Sequence, residues 1–339
     1  MSLPRVSFGK GLIAMTSIAG AGRELSPVRK KGFFSTLGKQ WQLMLMSVPM
    51  LLYVLLFNYA PMWGWGNAFL NFTDQKRVAR GDTPFYGLEN FKYIFSNPDF
   101  GEAMRNTLAM SLINLVFGTV SAILLAVLLN EVRSRKFKRT VQTVTYLPHF
   151  LSMVIVVGMA KNIFYGDETG AANALVMGIQ RLAGQKPEAV YWLGTPQYFW
   201  WLVGVINVWK EVGWGTIIYI SAMTAIDPCL YEAAAIDGAG RFQRILHVTL
   251  PGIKATFVIL LIMNIGHLLE AGFEIQYLLR SGPVYDYSDT IDIFVLQYGT
   301  KKMDYGVATA AGMFKSVVAI ILLFGANFIA KKLGESTLL

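Results

Sequence analysis

"LAMSLINLVFGTVSAILLAVLLN", residues 108–130, carries no charged side chain from one end to the other. An α-helix needs about 20 such residues to cross the hydrocarbon core of a bilayer. Lipid offers the backbone no hydrogen-bond partner, so a spanning segment must bond within itself as a helix or close into a barrel. This run is too long and too continuously apolar for a barrel strand, which alternates apolar and polar positions.

Working outward, five more runs have similar length. Residues 42–59 precede it. Residues 141–164 follow, with Pro148 and His149 near their start, and 198–225 hold Lys210 and Glu211. The fifth run, 255–279, is interrupted by His267, Glu270 and Glu274, and the sixth, 307–330, by Lys315. The expectation is an all-α integral membrane protein with about six transmembrane helices. Composition agrees: of 339 residues, 54% are hydrophobic and 15% charged, with a mean hydropathy of +0.45. A soluble domain of this size usually carries about 25% charged residues to cover its surface.

Basic residues orient the chain. The short turn "EVRSRKFKR", 131–139, between the second and third runs holds Arg133, Arg135, Lys136, Lys138 and Arg139. Short basic loops stay on the cytoplasmic side, which places the amino terminus there too. The net charge of +9 is then accounted for by this asymmetry and by anionic headgroups rather than by nucleic acid. Residues 1–40 read as a polar, basic cytoplasmic arm. Their weak apolar stretch "GLIAMTSIAGAG" is rich in Gly, Ser and Thr and is followed by more basic residues, so no cleaved signal peptide is expected.

The expected layout is an arm at 1–40, an accessory first span with an outer segment at 41–106, a core of five spans at 107–332, and a cytoplasmic tail at 333–339. No internal repeat stands out. In the outer segments, "YGLENFKYIFSNPDF" reads as short helix or turn, and Trp192, Tyr198, Trp200 and Trp201 as an interfacial aromatic belt. The one cysteine, Cys229, cannot form an intramolecular disulfide.

The loop at 226–254 is far longer than a connection between two spans requires. Asp227 suits an N-cap and Pro228 the first helical position. The Ala-rich "CLYEAAAID" continues as a helix with little side-chain bulk, and Gly238 and Gly240 permit a sharp turn with positive φ. A second short amphipathic helix, "RFQRILHVTL", ends at Pro251 and Gly252. Such a helix–turn–helix is either a docking element for another protein or an interfacial helix resting on headgroups.

The spacing of Glu232, Ala233, Ala234, Gly238, Val248, Leu250 and Pro251 resembles the cytoplasmic loop signature of permease subunits of binding-protein-dependent ABC importers, with Val248 where that family usually has Ile. "YLPHFLS", "YGVATAAGMFKSVVAIILL" and the "AKKLGESTLL" tail resemble the branch that imports oligosaccharides and polysaccharide fragments. The resemblance implies the type I ABC importer permease fold in the bacterial cytoplasmic (inner) membrane. It implies that Glu232, Ala233, Ala234, Asp237, Gly238, Leu250 and Pro251 form coupling helices seated in a cleft of a cytoplasmic ABC ATPase dimer. Glu232 would meet a basic residue of that ATPase or simply favour its own helix dipole. The further partners implied are a second, homologous permease in a heterodimer, an extracytoplasmic solute-binding protein, membrane lipid and a sugar substrate.

The chain has no phosphate-binding loop of the G-x-x-x-x-G-K-[ST] type, so ATP and Mg are expected on the ATPase and this chain is expected not to be an enzyme. Its three histidines lie far apart and show no metal-ligand spacing.

Charged groups inside spans are costly and face a cavity or one another. Asn264, His267, Glu270 and Glu274 recur at three or four residues and are expected on one helical face. Asn207, Lys210, Glu211 and Trp214 make a second polar stripe, and Lys315 stands on the last span. These faces either line a hydrated substrate path, with Trp209, Trp214 or Tyr277 stacking on sugar rings, or form structural ion pairs. Other functions to weigh are an ABC permease for amino acids, peptides or phosphate, an ion-coupled secondary transporter, and a channel or scaffold.

Overall fold

The computed structural model describes residues 41–338; the expected amino-terminal arm, 1–40, lies outside the described residues. The chain divides after Trp63 into two compact units, each taken by itself. In the first, α1 (Trp41–Val54) continues as a π turn over Leu55–Tyr59, and none of its residues is buried. A helix apolar on every side suits lipid rather than water.

In the second unit, after a 3-10 stretch that ends at Phe69 and a short helix at Gln75–Ala79, come α2 (Glu89–Ser96) and α3 (Pro98–Glu131). Asn97 caps α3 by accepting from the Asp99 amide, with Pro98 at the first position. Then follow α4 (Arg135–Tyr146), α5 (Met153–Ile163), α6 (Ala171–Leu182) and α7 (Pro196–Thr224). The loop of interest forms α8 (Pro228–Ile236) and α9 (Arg241–Gly252), the latter with a π turn at Ile245–Thr249. The chain closes through α10 (Lys254–Gly266), α11 (Glu274–Leu279), α12 (Ile291–Leu296) and α13 (Tyr305–Lys332).

Helix α7 is the spine of this unit and packs along α3. Lipid tails are as apolar as leucine, so close approach and hydrogen bonds hold such helices together. Ala122 of α3 faces Gly215 of α7, and the Thr216 hydroxyl donates to the Ala122 carbonyl at 3.2 Å. Gly213 lets α4 come closer still, since a Cβ there would lie 2.1 Å from the Thr145 oxygen. Two buried apolar clusters include residues of the spine, one around Met110, Phe199 and Ile275 and one around Ala126, Tyr219 and Ile253, and a third, around Phe100, Phe294 and Val307, joins α2, α3, α12 and α13.

By length and composition three helical runs can cross a membrane, Trp41–Phe69, Pro98–Glu131 and Tyr305–Lys332, and up to five if each of two bent pairs is one span. The expected count of six is therefore not reproduced. The fourth predicted span forms α7, which is long enough but carries Lys210 and Glu211 and is not among the three.

The third predicted span is not one helix. Residues Leu147–Phe150 form a 3-10 turn, and the chain bends by 105° before α5. Pro148 has no amide to donate to the preceding turn, and Leu151 is extended at φ −75 and ψ 139.

The fifth predicted span is also corrected. Helix α10 stops at Gly266, where the His267 amide is shared by the Met263 and Asn264 carbonyls. The chain passes through Gly272 at φ +92 before α11 begins. A continuous helix would have carried His267, Glu270 and Glu274 through the membrane on one rod, each at a cost in lipid. The irregular stretch is tolerated because it is satisfied from within: buried Gln276 donates to the Ala271 carbonyl at 2.7 Å. Asn264, His267, Glu270 and Glu274 consequently do not share one helical face.

The expected aromatic belt is divided. Trp192 and Trp200 turn inward, donating to Asn173 at 2.8 Å and to the Tyr287 carbonyl at 3.0 Å. Tyr198 and Trp201 remain exposed.

Candidate functional site: a polar cavity and a helical hairpin

Where α3, α7 and the end of α10 diverge they enclose a cavity of about 490 Å³. Helix α3 contributes Ser111, Asn114 and Thr119; α7 contributes Asn207, Glu211 and Trp214; α10 and the stretch after it contribute Asn264, His267 and Glu270. Ser111 Oγ and Asn114 Oδ1 are buried with no hydrogen-bond partner.

The bend after Pro148 lies outside the wall and braces two of its residues. The His149 ring stacks on Trp214, with 4.5 Å between centroids and 6° between planes, and its Nδ1 lies 2.7 Å from Glu211 Oε2. Behind it, buried Lys210 directs its ammonium to the His149 carbonyl at 2.9 Å and to Glu211 Oε1 at 3.0 Å. A buried ammonium is costly unless paired, and here it also satisfies a carbonyl freed where the helix breaks. Across the cavity, His267 Nδ1 approaches Glu270 Oε2 at 3.1 Å.

Of the residues singled out as a substrate path, Glu211, Trp214, Asn264, His267 and Glu270 are thus brought together. Three are not. Lys210 sits behind the wall, Glu274 is exposed at the start of α11, and Lys315 on α13 pairs with Asp292 of α12 at 2.6 Å. Trp209 does not line the cavity, and Tyr277, outside it too, stacks on Phe273 at 5.1 Å. Sequence reasoning missed Ser111, Asn114, His149 and Asp292. The signal for the first two was present: Ser111, Asn114 and Gly118 recur at helical spacing within an uncharged run. Among the described residues no three His, Cys, Asp or Glu side chains are placed to hold a metal ion.

The loop between α7 and α10 is a stiff helical hairpin. Asp227 caps α8 by accepting from the Cys229 amide at 2.9 Å, and that hydrogen bond holds its carboxyl below the usual range. Gly238 ends α8 at φ +78, with the Ala239 amide returning to the Ala234 carbonyl at 2.9 Å. Gly240, expected to share the positive φ, is instead at φ −68, because its amide is held by the Gln243 side chain at 2.8 Å. The Tyr231 and Thr249 hydroxyls, 3.0 Å apart, clasp the two arms.

Glu232, Ala233, Asp237, Gly238 and Pro251 are exposed, and Ala234 is half-buried. Leu250 is not on that surface but packs into the cluster around Tyr219 and Ile253. The most prominent apolar groups on the hairpin were not anticipated: Ile236 is 87% exposed and Phe242 76%.

Comparison with known proteins follows the same lines. The family described as "Binding-protein-dependent transport system inner membrane component" matches residues 118–335. The chain is 41% identical over 307 residues to the polygalacturonan/rhamnogalacturonan transport system permease protein YteP of Bacillus subtilis (strain 168), covering 91% of this chain and 93% of that one. It is 41% identical over 296 residues to protein LplB of the same organism, covering 87% and 90%. A crystal structure of a bacterial ABC transporter involved in the import of the acidic polysaccharide alginate contains a chain that matches with a TM-score of 0.78 at 36% identity, covering 88% of this chain and 98% of that one. A second, of the bacterial alginate ABC transporter in complex with alginate pentasaccharide-bound periplasmic protein, matches at 0.79 and 34% identity, covering 91% and 100%.

Proposed function

The chain belongs to the family of binding-protein-dependent transport system inner membrane components and has the ABC importer permease fold, and on that premise we propose that it is one permease subunit of an ATP-driven importer of oligosaccharides or polysaccharide fragments. It is a transport subunit of the inner membrane rather than an enzyme. The observation that carries the reading is that one compact unit holds both the cavity and the hairpin, and that α7 and α10, which lead into and out of the hairpin, are cavity walls.

A displacement of the hairpin is therefore delivered to Glu211 and Trp214 on α7 and to Asn264 on α10. The cap at Asp227, the turn at Gly238 and the Tyr231–Thr249 clasp make the hairpin move as one piece. An ATPase dimer on the cytoplasmic side would seat the hairpin through Glu232, Ala233, Ala234, Asp237, Gly238 and Pro251, with Ile236 and Phe242 as its apolar anchors. ATP and Mg belong to that partner. A homologous permease would supply the other half of the path, and an extracytoplasmic solute-binding protein the substrate. The basic turn at 131–139 supports a cytoplasmic amino terminus.

Saccharide as the substrate class rests on the relatives named above and on the cavity's own chemistry, an indole platform amid amide and carboxylate groups. The test is purification of the tagged chain from its native membranes, with identification of what accompanies it, beside a Glu232→Arg, Gly238→Trp variant. Wild type should bring an ATPase and a second permease, and the variant should lose the ATPase. A chain that comes out alone in both forms, with uptake that collapses with ionophores but survives ATP depletion, would replace this reading by ion-coupled transport.

A further inference from the structure

Helix α4 carries a basic end and an apolar strip with no counterpart in the protein. Arg133, Arg135, Lys136 and Arg139 are exposed and Lys138 is half-buried. Among the described residues none of these five cations is in an ion pair. Glu131 is the one carboxylate between positions 108 and 166, so the surrounding sequence supplies almost no countercharge.

The basic turn marks the cytoplasmic edge of the membrane, and α4 climbs from there. Helices α3 and α7 end together, since Ala122 and Gly215, which face each other, each lie nine residues before the last. The Thr145 carbonyl meets Gly213 of α7, about 16 Å above Thr224 at 1.5 Å per residue. Arg135 lies ten residues before Thr145, about 15 Å along α4. The cations therefore stand level with the ends of α3 and α7, and the rest of α4 rises beside the hydrocarbon. Along it Phe137, Val144 and Leu147 are 59, 64 and 60% exposed, and spacings of seven and three set them on one face. Thr140 and Thr143 donate back to the Lys136 and Arg139 carbonyls at 3.1 and 3.0 Å, so their donors are spent within the helix.

A cytoplasmic protein could reach the cations but not an apolar strip above them. A phospholipid reaches both, with its headgroup at the basic turns and an acyl chain on the strip. We propose that α4 holds an anionic phospholipid of the cytoplasmic leaflet, its phosphate on Arg133, Lys136 and Arg139 and an acyl chain along Phe137, Val144 and Leu147. The unpaired cations select an anionic headgroup over a zwitterionic one. Helix α4 passes directly into the turn whose His149 braces Glu211 and Trp214, so the lipid adjoins the support of the cavity wall.

The test places a bimane on α4 by Thr140→Cys in a Cys229→Ser background, with Thr143→Cys as a second reporter should the first fail to fold. The tagged chain, purified with its partners, is put into phosphatidylcholine nanodiscs containing equal fractions of doxyl-labelled phosphatidylglycerol or doxyl-labelled phosphatidylcholine. The anionic lipid should quench roughly threefold more strongly or better, and added salt should narrow the difference. Arg133→Gln, Lys136→Gln and Arg139→Gln together should bring the ratio toward one. Removing as many cations from the outer segments, by Lys76→Gln, Arg80→Gln and Lys301→Gln, should leave it unchanged.

Equal quenching by the two lipids, or a preference that the α4 substitutions leave unmoved, would overturn the inference. So would quenching by neither lipid at either reporter, which would mean that another protein covers α4. The importer reading is tested separately, because no solute and no ATP enter this measurement.

Discussion

The imidazole of His149 and the indole of Trp214 lie parallel, 4.5 Å apart, across the bend that interrupts the third apolar run. To serve as the sugar platform proposed above, the Trp214 ring has to be held in one rotamer, and this contact together with the His149–Glu211 hydrogen bond would hold it. His149→Leu should raise the KM for uptake roughly three- to tenfold, the worth of an aromatic pair, with a smaller change in kcat. His149→Gln keeps a donor for Glu211 without the ring, so the difference between the two variants isolates the stack. Equal KM values for His149→Leu and wild type would remove the positioning role.

Gly213 is where α4 and α7 approach most closely, and its Cβ would overlap the Thr145 carbonyl. Backbone cannot give way as a flexible side chain can. Gly213→Ala is expected to cost about 2 kcal/mol, visible as a lowered Tm in detergent. Gly215→Ala, whose Cβ would face only the Ala122 methyl at 3.2 Å, should cost markedly less.

Lys315 and Asp292 form a largely buried pair between α13 and α12. Removing one partner leaves the other charge uncompensated, whereas removing both can be nearly neutral. Lys315→Met should lower stability by about 3 kcal/mol, and adding Asp292→Leu should restore most of it. Additive losses in a double-mutant cycle would show that the pair is not coupled.

The cap on α8 depends on pH with a defined sign. The Cys229 amide, assisted by the Cys229 side chain, holds the Asp227 carboxyl below its ordinary value. A depressed folded pKa stabilises the fold above the unfolded value, about 3.9, and that contribution is lost as pH falls through the folded one. Hydrogen exchange at residues 228–236 should therefore speed up in acid for wild type. Asp227→Asn should keep the protection at neutral pH and lose this acid dependence, and Asp227→Ala should lose protection throughout.

Ile236 and Phe242 protrude from a hairpin that is otherwise firmly capped. Ile236→Ser combined with Phe242→Ser should leave the Tm unchanged and reduce the ATPase that copurifies at least fivefold, since exposed apolar anchors dominate such contacts. An undiminished yield of ATPase would move the contact to Glu232 and the alanines.

The sequence revealed the helical class and the hairpin because both rest on local rules. The uncharged run at 108–130 admits one reading, and Asp227, Pro228 and Gly238 occupy the positions their backbone preferences require. The interruptions were harder to read. Periodicity placed His267, Glu270 and Glu274 on a helix with Asn264, but whether a helix continues is decided by how its charges are solvated, which spacing does not record. His149 and Asp292 escaped notice for a related reason: each matters through a partner 62 or 23 residues away. The inward turn of Trp192 likewise follows from Asn173, whose amide organises a loop that composition described only as aromatic.

Lys210 and the bend at Pro148 have a consequence for how such a chain can change over time. The ammonium occupies the carbonyl that the bend leaves open, so a neutral residue at 210 would strand His149's oxygen, and a straightened helix at 148 would strand the charge. Either alteration alone passes through a damaged intermediate. Divergent copies of this chain should therefore alter positions 148 and 210 together or keep both, and a library randomised at the two sites should return functional clones as pairs.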